Sequence, residues 1–277
     1  MQEGCALRCV ALDSFSGNAC VPVFVIMIDE NTQFTEVGSL VKLIKTDRGL
    51  AWGTDAYLLA AYLKPAGRMC ELGCGNGVVS LLCASHGKSS DVTAVEIRED
   101  MAEIARKNVT LNGLSDKISV VCRDVRDIKF TDPDIGGRFD CVFANPPYIA
   151  HPGPSHSDCA EDDARHENHG GIGDFCAAAA RLLNFRGSFV CVFRPSRMPE
   201  LFAAMKACGI EPKRLVTVYP DALSGPSIII AEGILGGKPG LEMSEPVIFF
   251  GEAGGTGSRP MTARMQDIYD RCSFRKN

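Results

Sequence analysis

Four consecutive residues, Asn145-Pro146-Pro147-Tyr148, combine an amide side chain, two rings that stiffen the backbone and a flat phenol. Proline fixes its own φ and keeps the residue before it out of helical geometry, so this turn presents carbonyl oxygens rather than N–H donors. The Asn145 side-chain oxygen and the Pro146 carbonyl can both accept from an exocyclic amino group, holding its lone pair toward an electrophile, while Tyr148 offers a face to a planar substrate. A second set lies upstream. Met69-Cys70-Glu71-Leu72 runs into Gly73-Cys74-Gly75-Asn76-Gly77, where glycines allow positive φ and close approach of a ligand to the backbone. Val78 occupies the position at which the dinucleotide fingerprint G-x-G-x-x-G needs its third small residue, which argues against a nicotinamide cofactor. Glu96 stands 23 residues beyond Gly73, where a carboxylate can accept hydrogen bonds from ribose hydroxyls.

These residues need a scaffold that gathers them at one edge, and the hydrophobic pattern supplies it. Between Leu40 and Leu235 short apolar runs alternate with amphipathic stretches, the pattern of an α/β domain with a parallel sheet. Strands are predicted over Arg68–Leu72, Val92–Ile97, Ile118–Cys122, Phe139–Ala144, Gly187–Phe193, Arg214–Tyr219 and Ser227–Gly233. Helical spacing covers Val78–His86, Glu99–Asn112, Asp174–Leu183 and Glu200–Cys208; in the second of these Met101, Ile104, Ala105 and Val109 share a face. Leu40–Ile44 and Tyr57–Leu63 form a strand-plus-helix preface. The glycine loop, Glu96 and Asn145 then all fall at the carboxyl ends of strands, where open α/β sheets bind ligands. Four parts are expected: an N-terminal extension (1–30), the preface (31–64), the catalytic domain (65–250) and a basic C-terminal tail (251–277).

The 277 residues carry 29 basic and 34 acidic side chains, a formal charge of −5, so no global positive field advertises nucleic acid. Residues 151–169 alone hold a net −4 and residues 256–277 a net +3, so the charge is local rather than global. An apolar content of 45% excludes a disordered chain. The thirteen cysteines are odd in number and include no C-x-x-C pair; Cys5/Cys9 and Cys70/Cys74 are spaced C-x-x-x-C, which does not match paired zinc ligands. His151, His156, His166 and His169 fit no standard zinc spacing either, so no metal is expected. The apolar run Ala19–Ile28 is shorter than the roughly 20 residues a spanning helix needs, and no basic n-region precedes it. A cytoplasmic chain is expected, with no membrane and no stable protein partner indicated.

Together the glycine loop and the acids downstream of it resemble motif I and its companions in the class I S-adenosylmethionine-dependent methyltransferases. That resemblance implies a Rossmann-like, seven-stranded, mostly parallel sheet with helices on both faces. It assigns the cofactor S-adenosylmethionine to Glu71, Gly73, Gly75, Asn76, Gly77, Glu96, Ile97, Asp124, Val125 and Asn145, with Glu96 on the ribose and Asp124 on the adenine. Asn145, Pro146, Pro147 and Tyr148 resemble the signature of methyltransferases acting on planar nitrogen, whose substrates are adenine N6, cytosine N4 or a glutamine amide. The opening Lys42-Leu43-Ile44-Lys45 and Gly49-Leu50-Ala51-Trp52-Gly53-Thr54-Asp55-Ala56-Tyr57-Leu58-Leu59-Ala60 narrow the choice. So do Ala164-Arg165-His166-Glu167, Phe193-Arg194-Pro195-Ser196-Arg197 and Pro212-Lys213-Arg214-Leu215. In order and spacing they resemble the bacterial tRNA1(Val) adenine-37 N6-methyltransferases, with Trp52 in place of that family's usual phenylalanine. The resemblance implies transfer of a methyl group to N6 of an anticodon-loop adenine, with tRNA as partner. Release-factor glutamine methylation and other ribosomal-RNA or DNA adenine N6 methylation are the alternatives the motif leaves open.

Overall fold

The computed structural model describes residues 33–45, 53–146, 170–252 and 259–275. The central strands are β3 (Met69–Leu72), β4 (Val92–Glu96), β5 (Ile118–Cys122), β6 (Phe139–Ala144), β7 (Leu183–Phe193), β8 (Ile210–Tyr219) and β9 (Ile228–Leu235). Every residue of β3 and β4 is buried, because helices cover both faces and leave no polar side to alternate with. Two-residue strands β10 (Glu242–Met243) and β11 (Val247–Ile248) extend the sheet beyond the seven expected strands. The order is β10-β8-β9-β7-β6-β3-β4-β5, with β11 also on β8; β9 runs antiparallel to β7 and β8, and the other pairings are parallel. The strand order reverses between β3 and β6, the switch point at which a ligand crevice opens.

Helices α1 (Thr54–Tyr62), α2 (Val78–Ser85) and α3 (Glu99–Leu111) share one apolar core with α6 (Ala263–Arg271). On the other face α4 (Ile172–Leu182) and α5 (Met198–Ala207) pack through Phe175, Ala179, Leu182, Leu201 and Met205. Among the described residues no helix is long and apolar enough to cross a membrane.

Several boundaries differ from those the hydrophobic pattern predicts, each for a local reason. The strand expected from Gly187 begins at Leu183, straight from α4, and a register shift between Phe139 and Cys141 on β6 absorbs the change of direction. The strand expected from Arg214 begins at Ile210; Pro212 sits at a register shift, where a missing N–H is tolerated. The preface contains a hairpin, β1 (Phe34–Val37) against β2 (Val41–Ile44), where a single strand was expected. The basic C-terminal segment reaches the core: Met265, Ile268 and Cys272 are buried, the Tyr57 hydroxyl donates to the Tyr269 carbonyl, and the two rings stack at 4.7 Å. The nine cysteines among the described residues are all free thiols.

Candidate functional site

Sheet register brings the expected residues into one row. Leu72 of β3 pairs with Val95 on one side and Ala144 on the other, so Gly73 lies between Glu96 and Asn145, each one residue beyond a paired position. Adjacent strands are ~4.8 Å apart, which sets Asn145 one strand spacing from the glycine loop. Glu96 pairs with Cys122, and Asp124 comes two residues later on the far side of the row.

The loop turns on three left-handed glycines: Gly73, Gly75 and Gly77 have φ of 71°, 55° and 81°. A side chain at any of the three would be strained, and at Gly77, the residue before α2, a Cβ would also press on Ala105 of α3. Gly75 faces open space, with no atom within 4 Å of where a Cβ would stand. The Glu96 carboxylate, 7% exposed, accepts from Gly75 N–H at 2.8 Å and from Arg98 N–H at 2.9 Å, so it fixes the loop from below. A backbone ridge open on one side beside a buried carboxylate fits a nucleoside with ribose hydroxyls, as the resemblance implies. Asn76 caps the loop, its side-chain oxygen accepting from Val78 N–H at 3.2 Å. Its carbonyl accepts from the amide of Asn108 at 2.9 Å, and the same Asn108 accepts from Ile44 N–H at 2.8 Å. Asn112, just after α3, accepts from Lys42 N–H and donates to Lys42 C=O, so Asn108 ties the hairpin to the loop and Asn112 adds a second hold on the hairpin. No local sequence pattern singles out either asparagine.

Other expected cofactor residues sit differently. Asp124 is held by Arg126, whose backbone N–H and guanidinium both donate to it. Ile97 is half-buried and Val125 is buried in the α4 face. Glu71 points into the interior, 2% exposed, and accepts from the Ser80 N–H and hydroxyl. Burial pushes its carboxyl up to about 8, against the opposing pull of the Ser80 hydrogen bonds. In an unfolded chain a glutamate titrates near ~4.3, so between these values the folded protein holds a proton the unfolded chain has lost. This contribution to stability is complete below the unfolded value and disappears as pH rises through about 8. Glu71→Gln is expected to flatten that decline, checked by denaturant midpoints between about pH 5 and pH 8; an unchanged slope would assign it to another group.

Asn145 is half-buried at the end of β6, and its Nδ2 donates to Oδ2 of Asp55 at 3.2 Å. Asp55 lies in the first turn of α1, 90 residues earlier. It also lines a cavity of about 330 Å³ on the side of the sheet toward β8, with Arg194, Tyr219, Phe249 and Phe250 in its wall. The glycine loop and an aromatic-edged cavity thus lie on either side of Asn145, and Asp55 joins the cavity wall to Asn145. In the sequence Asp55 is no more than one member of an opening signature; its link to Asn145 is a long-range contact that no local pattern contains. Pro146 is buried beside Asn145. Pro147, Tyr148, Trp52, the four clustered histidines, the Ala164–Glu167 motif and the extension 1–30 lie outside the described residues.

Residues 69–171 match the family described as a methyltransferase domain. A tRNA1(Val) (adenine(37)-N6)-methyltransferase of Tolumonas auensis is 27% identical over 80% of this chain and 90% of its own length. One from Bacteroides fragilis is 28% identical over 61% of this chain and 72% of its own. The fold is shared with a predicted O-methyltransferase from Agrobacterium tumefaciens, at a TM-score of 0.62 and 23% identity, covering 79% of this chain and 97% of that one.

Proposed function

We infer that the chain is an S-adenosylmethionine-dependent methyltransferase of the tRNA1(Val) (adenine(37)-N6)-methyltransferase family, a cytoplasmic enzyme that methylates N6 of an anticodon-loop adenine. The observation that carries this reading is the placement of Asn145 one strand from the glycine loop, with its Nδ2 already committed to Asp55. With Nδ2 so engaged, Oδ1 is the end of the amide that accepts from an exocyclic amino group.

S-adenosylmethionine, when bound, supplies an electrophilic methyl group on a sulfonium. The chain's own residues do the rest. Gly73 to Gly77 give the backbone room for close approach, and Glu96 accepts from ribose hydroxyls. Asn145 Oδ1 and the Pro146 carbonyl accept the two N6 hydrogens, which takes the lone pair out of conjugation with the purine and favours the positive charge that develops on nitrogen as the methyl–sulfur bond breaks to leave a thioether; one N6 proton is then lost to solvent. Tyr148 stacks on the base by the same reading. A loop base is cheaper to extrude than a paired one, which suits an anticodon-loop substrate. Direct transfer needs no enzyme nucleophile, consistent with thiols at Cys74 and Cys191 that burial pushes well above the usual range.

A polyanionic substrate also has a place to lie. At the far end of α1 from Asp55, seven residues on at ~1.5 Å each, a cavity of about 430 Å³ is lined by Lys64, Arg214, Arg264, Arg271 and Arg275 against Glu242 and Glu245. The test is to incubate the protein with methyl-labelled S-adenosylmethionine and an unmodified tRNA1(Val) transcript, then map the label by mass spectrometry. N6-methyladenosine at position 37 is expected. An unlabelled transcript beside a labelled release-factor glutamine would overturn the substrate. The double variant Arg264→Glu/Arg275→Glu is expected to raise the KM for tRNA, and to lower its salt slope by about 2, at unchanged S-adenosylmethionine affinity.

A further inference from the structure

We propose that Asp55 is a positioning residue that fixes which face of the Asn145 amide meets the substrate, an inference that rests on the methyltransferase reading above. An asparagine amide has two nearly isosteric ends with opposite hydrogen-bonding character, and a half-turn about its last torsion exchanges them. Methylation of an amino nitrogen needs the oxygen end at the substrate; the flipped amide would oppose N–H to N–H. Nothing within Asn145 chooses between the two. Asp55 does, because an ionised carboxylate only accepts. With its Oδ2 at 3.2 Å from Nδ2, a flipped amide would set oxygen against oxygen.

The carboxylate can impose that choice because it is itself held. Its Oδ1 accepts from Ala56 N–H at 3.0 Å, and it sits in the first turn of α1, where the helix dipole favours a negative charge. Residues Ala56 to Ala61 of that helix are all buried, so the helix cannot slide relative to the sheet without opening the core. Gly53, immediately before α1, gives the carboxylate its room: a Cβ there would lie 2.1 Å from Asp55 Oδ1. The Gly53 backbone, at φ −89° and ψ 157°, is one any residue adopts, so the absence of a side chain serves the carboxylate rather than the chain path. Asp55 also borders the aromatic-edged cavity together with Arg194, so the residue that orients Asn145 is part of the wall the acceptor meets.

The test compares Asp55→Asn, Asp55→Glu, Gly53→Ala and Asn145→Ala in the full chain, by kcat on the tRNA transcript, S-adenosylmethionine Kd by calorimetry, and Tm. Asp55→Asn keeps the size but can donate, which lets the Asn145 amide flip. Its kcat is expected to fall about tenfold or more, as loss of a group that orients a ligating side chain does elsewhere, with Kd and Tm unchanged. Gly53→Ala should lower kcat in the same way by displacing the carboxylate, and Asp55→Glu, still an obligate acceptor, should recover activity above Asp55→Asn. A kcat within twofold of wild type for Asp55→Asn, alongside an inactive Asn145→Ala, overturns the proposal and leaves the methyltransferase reading intact. Equal losses of kcat, Kd and Tm in Asp55→Asn also overturn it, since they assign Asp55 to folding alone. Full activity in Asn145→Ala would instead overturn the reading of Asn145 on which the proposal stands.

Discussion

Alanine at position 145 is expected to lower kcat by about 10²- to 10³-fold, the range seen when one preorganised hydrogen-bonding group facing the developing charge is removed. On the proposed reading the substitution removes the acceptor for one N6 hydrogen, and it leaves the Asp55 carboxylate, in the wall of the aromatic-edged cavity, without the Asn145 Nδ2 donor. The Pro146 carbonyl remains, so residual turnover should persist. S-adenosylmethionine affinity should change little, because Glu96 and Asn108 hold the loop through hydrogen bonds that the substitution leaves in place. Single-turnover methylation, read beside calorimetric binding, separates the two. Wild-type turnover would remove Asn145 from the reaction.

Replacing Glu96 with alanine is expected to act on binding instead, raising the Kd for S-adenosylmethionine by about 100-fold or more. Glu96 accepts from Gly75 N–H and Arg98 N–H in a nearly closed setting. Hydrogen bonds to a charged group contribute about 1.5–3 kcal/mol each, and about 1.4 kcal/mol is tenfold in affinity. Removing the carboxylate loosens the Gly75 ridge and, on the proposed reading, deletes the ribose acceptor as well. Raising cofactor concentration should then recover much of the lost rate, which it cannot do for Asn145→Ala. A Glu96→Ala protein with unchanged Kd would show that neither the loop nor the ribose depends on this carboxylate.

Much of the central architecture was readable because the strands that carry the site are short and largely apolar, and β3 and β6 run into glycine or proline turns. Leu72 and Ala144 close such runs, and each leads into a turn whose chemistry is local. The sequence pattern therefore placed Gly73, Glu96 and Asn145 at strand ends, while their lateral order, Glu96, Gly73, Asn145, follows from the sheet topology. Contacts between distant segments were not announced in this way. Asn108 and Asn112 read as unremarkable polar positions on α3 and just after it, yet their amides stand in for a strand partner to Lys42 and Ile44. Asp55 reads as an acid in a first helical turn, and only folding shows that it meets Asn145. Pro212 hid the first turn of β8, since a proline inside an apolar run signals a break unless a register shift takes it up. β10 and β11 are two residues each, too short to carry any period.

The stacking of Tyr57 on Tyr269 has a consequence for how the enzyme is made. The two residues are separated by 212 positions, so α1, the helix that carries Asp55, leaves the ribosome long before the segment that covers its outer side. At roughly 5–20 residues per second, about 10–40 s of synthesis separate them. During that interval the parallel sheet can assemble around β3 and β6 while Tyr57 remains uncovered. The packing that the C-terminal helix gives α1, the helix that carries Asp55, is therefore completed only late in translation.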